Sequence, residues 1–222
     1  MLRILFVVTN TDRLLNGEKT GIWLSEFAEP YDAFTATGHE VMLVSPKGGR
    51  APFDPKSLDG FTRTQLDRYS EIAKNTRQLK DIDTIGYDGL FLCGGHGTMF
   101  DLPDSHELQE IITHFADENK TIGAICHGAA GFVNVKLANG KFLLDGRRLT
   151  SFTDNEEKEM QADEKLPFLL ETKLRNQGAT FVAAPNFMEN VEIDKNLITA
   201  QNPQSGERIA KEFLELLEKQ LN

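Results

Sequence analysis

The residues best suited to chemistry lie in Gly123-Ala124-Ile125-Cys126-His127-Gly128. An apolar run from Thr121 to Ile125 leads without a gap into Cys126, and the small residues Gly128, Ala129 and Ala130 follow. This is the pattern of a nucleophile elbow, a strand-to-helix turn too tight for a bulky side chain beside the nucleophile. A helix starting there would set partial positive charge against the sulfur and favour thiolate, giving a pKa below the ~8.5 of a free thiol. Cys126 is thus expected to alkylate faster than Cys93, which sits in an apolar strand and reads as core. A buried structural Cys is the competing reading; the small flanking residues and the adjacent imidazole weigh against it. Neighbours on an elbow point in different directions, so His127 could orient a water or the substrate, cap the helix, or act in a triad with a carboxylate.

Gly94-Gly95-His96-Gly97 closes a second apolar strand. Consecutive glycines let backbone N–H groups approach a ligand, which makes Gly95, His96 and Gly97 candidates for an oxyanion hole. The spacing does not fit a dinucleotide fingerprint. Two acids stand out. Glu26 lies in an apolar helical stretch just past the first strand, where open α/β sheets place their sites, and a carboxyl buried there would have a raised pKa. Glu157 sits among acids at 154–157 and on composition reads as a solvated helix N-terminus. The five histidines show no H-x-x-x-H and the cysteines no C-x-x-C spacing, so no metal site and no cofactor are expected.

The elements that must position these residues follow from periodicity. Arg3–Thr9, Val41–Val44, Gly89–Cys93, Thr121–Ile125, Thr180–Ala184 and Leu197–Ala200 read as strands, and Arg147–Phe152 could be another. Ile22–Thr37, with a kink at Pro30, Asp104–Asn119, about Leu166–Gln177 and about Gln204–Leu221 read as helices. Asp104 with Glu107 would make a capping box. Residues 46–80 are polar and read as a small insertion or cap. Strands alternating with helices predict an α/β fold with a doubly wound, mostly parallel sheet sandwiched by helices, in one domain over 1–222.

The chain has 222 residues and a formal net charge of −10, which argues against nucleic acid or an anionic membrane as the main partner. Two cysteines make no disulfide framework. The apolar start is too short for a signal peptide, and no run could span a bilayer, so a cytoplasmic location is expected.

A-I-C-H-G-A-A at 124–130 and G-G-H-G-T-M-F-D-L-P at 94–103 resemble the ThiJ/PfpI superfamily, in particular its heat-shock-protein-31-like branch with glyoxalase III activity. K-T-G-I-W-L-S-E at 19–26, S-F-T-D-N-E-E at 151–157 and T-A-Q-N-P-Q-S at 199–205 match that branch too. The resemblance implies a flavodoxin-like, class I glutamine amidotransferase-like fold. It implies Cys126 as nucleophile, His127 and Glu157 as its triad partners, and Glu26 as a carboxyl against the sulfur. The oxyanion hole would fall near Gly95 and His96. It also implies a homodimer.

Three function classes follow. The first is a cofactor-free lyase that turns methylglyoxal or another 2-oxoaldehyde into a 2-hydroxy acid, D-lactate from methylglyoxal, through a hemithioacetal; protein deglycation would use the same site. The second is a peptidase or amidase with a Cys-His-Glu triad. The third is a holdase for misfolded proteins or a redox sensor, since an activated thiolate is easily oxidised. A class I glutaminase is disfavoured, because it needs a His-x-Glu pair downstream and no histidine follows His127.

Overall fold

In the computed structural model, residues 1–220 are described. The strands are β1 (Arg3–Val7), β2 (Glu40–Ser45), β3 (Arg77–Gln78), β4 (Gly89–Leu92), β5 (Thr121–Ile125), β6 (Arg148–Leu149), β7 (Thr180–Phe181), β8 (Val191–Asp194) and β9 (Leu197–Ala200). The α-helices are α1 (Leu24–Ala36), α2 (Arg63–Ile72), α3 (Thr98–Asp101), α4 (His106–Asp117), α5 (Asp154–Glu159), α6 (Leu170–Asn176) and α7 (Gly206–Lys219). Leu221, with which the last predicted helix ends, lies outside the described residues.

Seven strands form one sheet in the order β3-β2-β1-β4-β5-β9-β8, parallel except for the β8–β9 pair. The central strands are apolar throughout because both sheet faces are covered. Alternation sends Leu5, Val7, Leu90 and Leu92 into one apolar layer with Leu108, Ile112 and Phe115 of α4. It sends Ile4, Phe6 and Phe91 into the other, with Phe27 and Phe34 of α1 and Phe213 of α7. The chain leaves β1 toward β2 and β4 toward β5. The C-terminal ends of β1 and β4 therefore flank the switch point where such sheets hold their ligands.

Several local expectations are corrected. α4 is capped by Ser105, whose side chain accepts from the Leu108 N–H, not by Asp104. The predicted strands around 148 and 180 pair only with each other, outside the main sheet. β8 was not expected at all; it is the antiparallel edge strand beside β9. Within 46–80, β3 joins the main sheet edge and α2 carries a Thr62–Gln65 capping box. The loop at Pro52 and Asp54 is stitched to Ile22 by two backbone hydrogen bonds of 2.8 Å. No helix of the described residues is long and apolar enough to cross a membrane.

Candidate active site

β5 ends extended at Ile125, and the chain turns at Cys126, which takes φ +56°. A non-glycine residue in the left-handed region is strained and persists only where its surroundings hold it. Packing holds it here. Gly128 passes so close to the Leu92 carbonyl that a Cβ there would collide with it. The elbow then continues as a 3₁₀ helix over Cys126–Phe132, where an α-helix was expected.

Cys126 Sγ lies 3.2 Å from His127 Nδ1, a direct contact that adjacency alone did not require. His127 Nε2 makes a short hydrogen bond with Glu157 Oε1, and His96 Nε2 reaches Oε2 of the same carboxylate at 3.1 Å. The two imidazoles stand 4.1 Å apart, and Phe152 packs on His127 at 4.7 Å. Glu157 is buried on the first turn of α5, not solvated as its composition suggested. Its neighbour Glu156, fully buried, was not singled out from sequence. It accepts from Thr153, from the Phe187 N–H at 2.8 Å and from Asn202 Nδ2 at 2.9 Å.

Burial pushes the Glu157 carboxyl up, but His127 and His96 outweigh it and hold the pKa at about 2. Burial and the nearby His96 lower that of His127, against the pull of Glu157. Burial disfavours the charged form of His127, and Glu157 favours it. The carboxylate stays ionised in either case, because ring N–H donors hold it. Nε2–H then donates to Glu157, and Nδ1 is free to accept from the thiol. Glu157→Gln presents an amide to those ring donors and is expected to lower activity while leaving the thermal midpoint nearly unchanged. Wild-type turnover in that variant would remove Glu157 from the site.

Glu26, fully buried, comes from the first turn of α1, which is tied to β4 by the Trp23 N–H on the Gly94 carbonyl. A Cβ at Gly94 would run into a carboxylate oxygen of Glu26 and stand 3.0 Å from Cys126 Cβ. Neither carboxyl oxygen makes a hydrogen bond of regular geometry; the group it interacts with is the Cys126 thiol. Burial drives the Glu26 pKa well above the usual range, and the Cys126 thiol offsets only part of that. Burial also pushes the Cys126 thiol up, and the neighbouring Glu26 carboxyl adds to it, while the His127 backbone N–H pulls the other way. This reverses the expectation of a lowered thiol pKa. The 3₁₀ turn is too slight a dipole to overcome burial beside a carboxyl. His127 Nδ1, 3.2 Å from the sulfur, is within reach of the thiol proton.

Cys126, His127, Glu26, Gly95 and His96 all border one cavity of about 270 Å³, walled further by Trp23, Phe152, Met160, Phe187, Pro203 and Gln204. Gly97 does not reach it: it packs against Thr9 and Thr11. A wider cleft of about 480 Å³, lined by Arg13, Lys19 and Arg50, holds no nucleophile and no buried base. The lack of metal-ligand spacing in the sequence hid one group of donors. His96, His127 and Glu157 come from three separate segments, and their ligand atoms lie within 4.8 Å of one another. They already bind each other through hydrogen bonds.

The sequence pattern of the DJ-1/PfpI family matches residues 19–216. The chain belongs to the DJ-1/PfpI family. Among its curated DJ-1/PfpI relatives is glyoxalase 3 of Candida albicans, 30% identical over 98% of this chain and 99% of that protein. A glutathione-independent glyoxalase of Schizosaccharomyces pombe is 30% identical over 88% of each. The crystal structure of glyoxalase III from Candida albicans superposes with a TM-score of 0.84 at 26% identity, over 97% of both chains. A 24 kDa rapid encystment protein of Francisella tularensis does so at 0.93 and 36% identity, over 98% of this chain and 99% of that one.

Proposed function

We propose that this protein is a glutathione-independent glyoxalase that converts methylglyoxal and related 2-oxoaldehydes to 2-hydroxy acids. One observation carries the mechanism: the fully buried carboxyl of Glu26 interacts with the Cys126 thiol, which also contacts the His127–Glu157 pair. A nucleophile with a base on one side and a neutral carboxyl on the other suits a reaction that moves protons at two adjacent carbons.

His127 Nδ1 takes the Cys126 proton as sulfur attacks the aldehyde carbon. A C–S bond forms, the C=O π bond breaks, and the oxygen takes a proton, giving a hemithioacetal. The hydrogen on that carbon leaves as a proton, and a proton returns to the neighbouring carbonyl carbon through an enediol. The first carbon is thereby oxidised to a thioester and the second reduced to an alcohol. Water then cleaves the C–S bond. The sum is R–CO–CHO plus water giving R–CHOH–COOH, with the thiol restored and no external oxidant. The His127 imidazolium returns its proton to the new alkoxide, and neutral Glu26 relays the two later transfers, one of its oxygens accepting a proton as its O–H gives one up; backbone N–H groups near Gly95 receive the developing oxyanion.

Lactate release from methylglyoxal by purified protein without glutathione tests this reading. Release only when glutathione is added would contradict it. His127 must be neutral to accept the thiol proton, and its pKa lies below its ordinary 6.5. The acid limb of kcat/KM is therefore expected below pH 6.5, with activity lost as pH falls through it. A limb centred at or above pH 7 would assign it to another group.

A further inference from the structure

The reacting groups occupy only the floor of the cavity. The rest of the wall is mostly apolar: Phe152 lies against His127 at 4.7 Å, Phe187 lies 6.4 Å from Phe152, Trp23, Met160 and Pro203 join them, and Gln204 is its polar member. No Lys or Arg borders this cavity. A three-carbon aldehyde has a single methyl group to set against that wall. We propose that the outer wall is a side-chain subsite selecting uncharged 2-oxoaldehydes with a bulky apolar substituent over methylglyoxal, and that Phe187 is its specificity-determining residue. The proposal rests on the glyoxalase reading above and deepens it.

Phe187 is held there at a cost. Its φ of +59° lies in the left-handed region, where a bulky residue is a rare and strained outlier. The compensation is visible. The Phe187 N–H donates to Glu156 Oε1 at 2.8 Å. The same carboxylate binds Asn202, next to Pro203, and Thr153, next to Phe152. One fully buried acid thus ties together three segments that carry the wall. A strained aromatic fixed this way gives a rigid apolar surface. Added apolar atoms on a substrate gain from such a surface without paying to order it.

The test is kcat/KM for methylglyoxal, isopropylglyoxal and cyclohexylglyoxal, whose carbonyl groups have similar electrophilicity. One methylene in an apolar pocket is worth roughly 10–200-fold, so kcat/KM should rise at least ~10-fold from methyl to isopropyl and again to cyclohexyl. Phe187→Ala should collapse that ratio. Phe187→Gly, which suits the positive φ and keeps the Glu156 bond, should collapse it too and secures the test if the alanine variant fails to fold. Equal or better use of methylglyoxal by the wild type, or a ratio that survives in Phe187→Gly, would overturn the subsite. If none of the three gives a 2-hydroxy acid, the glyoxalase reading falls and the subsite falls with it.

Discussion

Glu26→Gln is expected to lower kcat for methylglyoxal by about 10²–10⁴-fold, the usual worth of a positioned general acid–base, while leaving Cys126 open to alkylation. The glutamine keeps the shape of the side chain and can still donate a hydrogen bond toward sulfur, but it cannot exchange a proton. Attack on the aldehyde should survive and proton transfer between the carbons should not. The residue is well placed for this division. It is fully buried beside the Cys126 thiol, and burial favours its neutral form. Turnover within a few-fold of wild type would leave His127 as the only base beside the sulfur.

Cys126→Ser is expected to have the larger effect, a loss on the order of 10⁴–10⁶-fold, as when one member of a nucleophile–base unit is removed. The hydroxyl is far less acidic than the thiol, and neither the 3.2 Å imidazole nor the slight helix dipole can make up that difference. Cys93→Ala is the control. Cys93 is completely buried in the apolar layer and does not line the cavity that Cys126 borders. Alkylation of wild-type protein should therefore strike Cys126 first. The reason is access, since burial raises both thiols. Labelling of Cys93 ahead of Cys126, or full activity in the serine variant, would remove Cys126 as the nucleophile.

What could be read before any coordinates was local or periodic. Thr121–Ile125 and Arg3–Val7 announce themselves as buried strands because every position after the first is apolar. The elbow announces itself because only small residues fit beside Cys126. β8 escaped because an edge strand is apolar on alternate residues only. Val191 and Ile193 with the Asp194-Lys195-Asn196 turn, Lys195 at φ +57°, were the available signal. The 148 and 180 segments have strand composition but no place in the main sheet, a choice that tertiary packing makes. Glu157 looked like one acid among several, because its burial depends on two histidines from other segments. The thiol pKa was misjudged for a related reason. A dipole can be inferred from a helix start, but the desolvation that outweighs it comes from Glu26 and the layers around the sulfur. Glu156, Phe152 and Phe187 carry no motif of their own and become meaningful only where their loops converge.

The covalent step can be observed directly by carbon-13 NMR of methylglyoxal labelled at the aldehyde carbon, mixed with stoichiometric Glu26→Gln protein. That variant should stop after attack and show a hemithioacetal carbon resonance that is absent when Cys126 is also replaced by serine. A spectrum containing only the hydrated aldehyde, or one in which labelled lactate accumulates at the wild-type rate, would contradict a Cys126 adduct processed by Glu26.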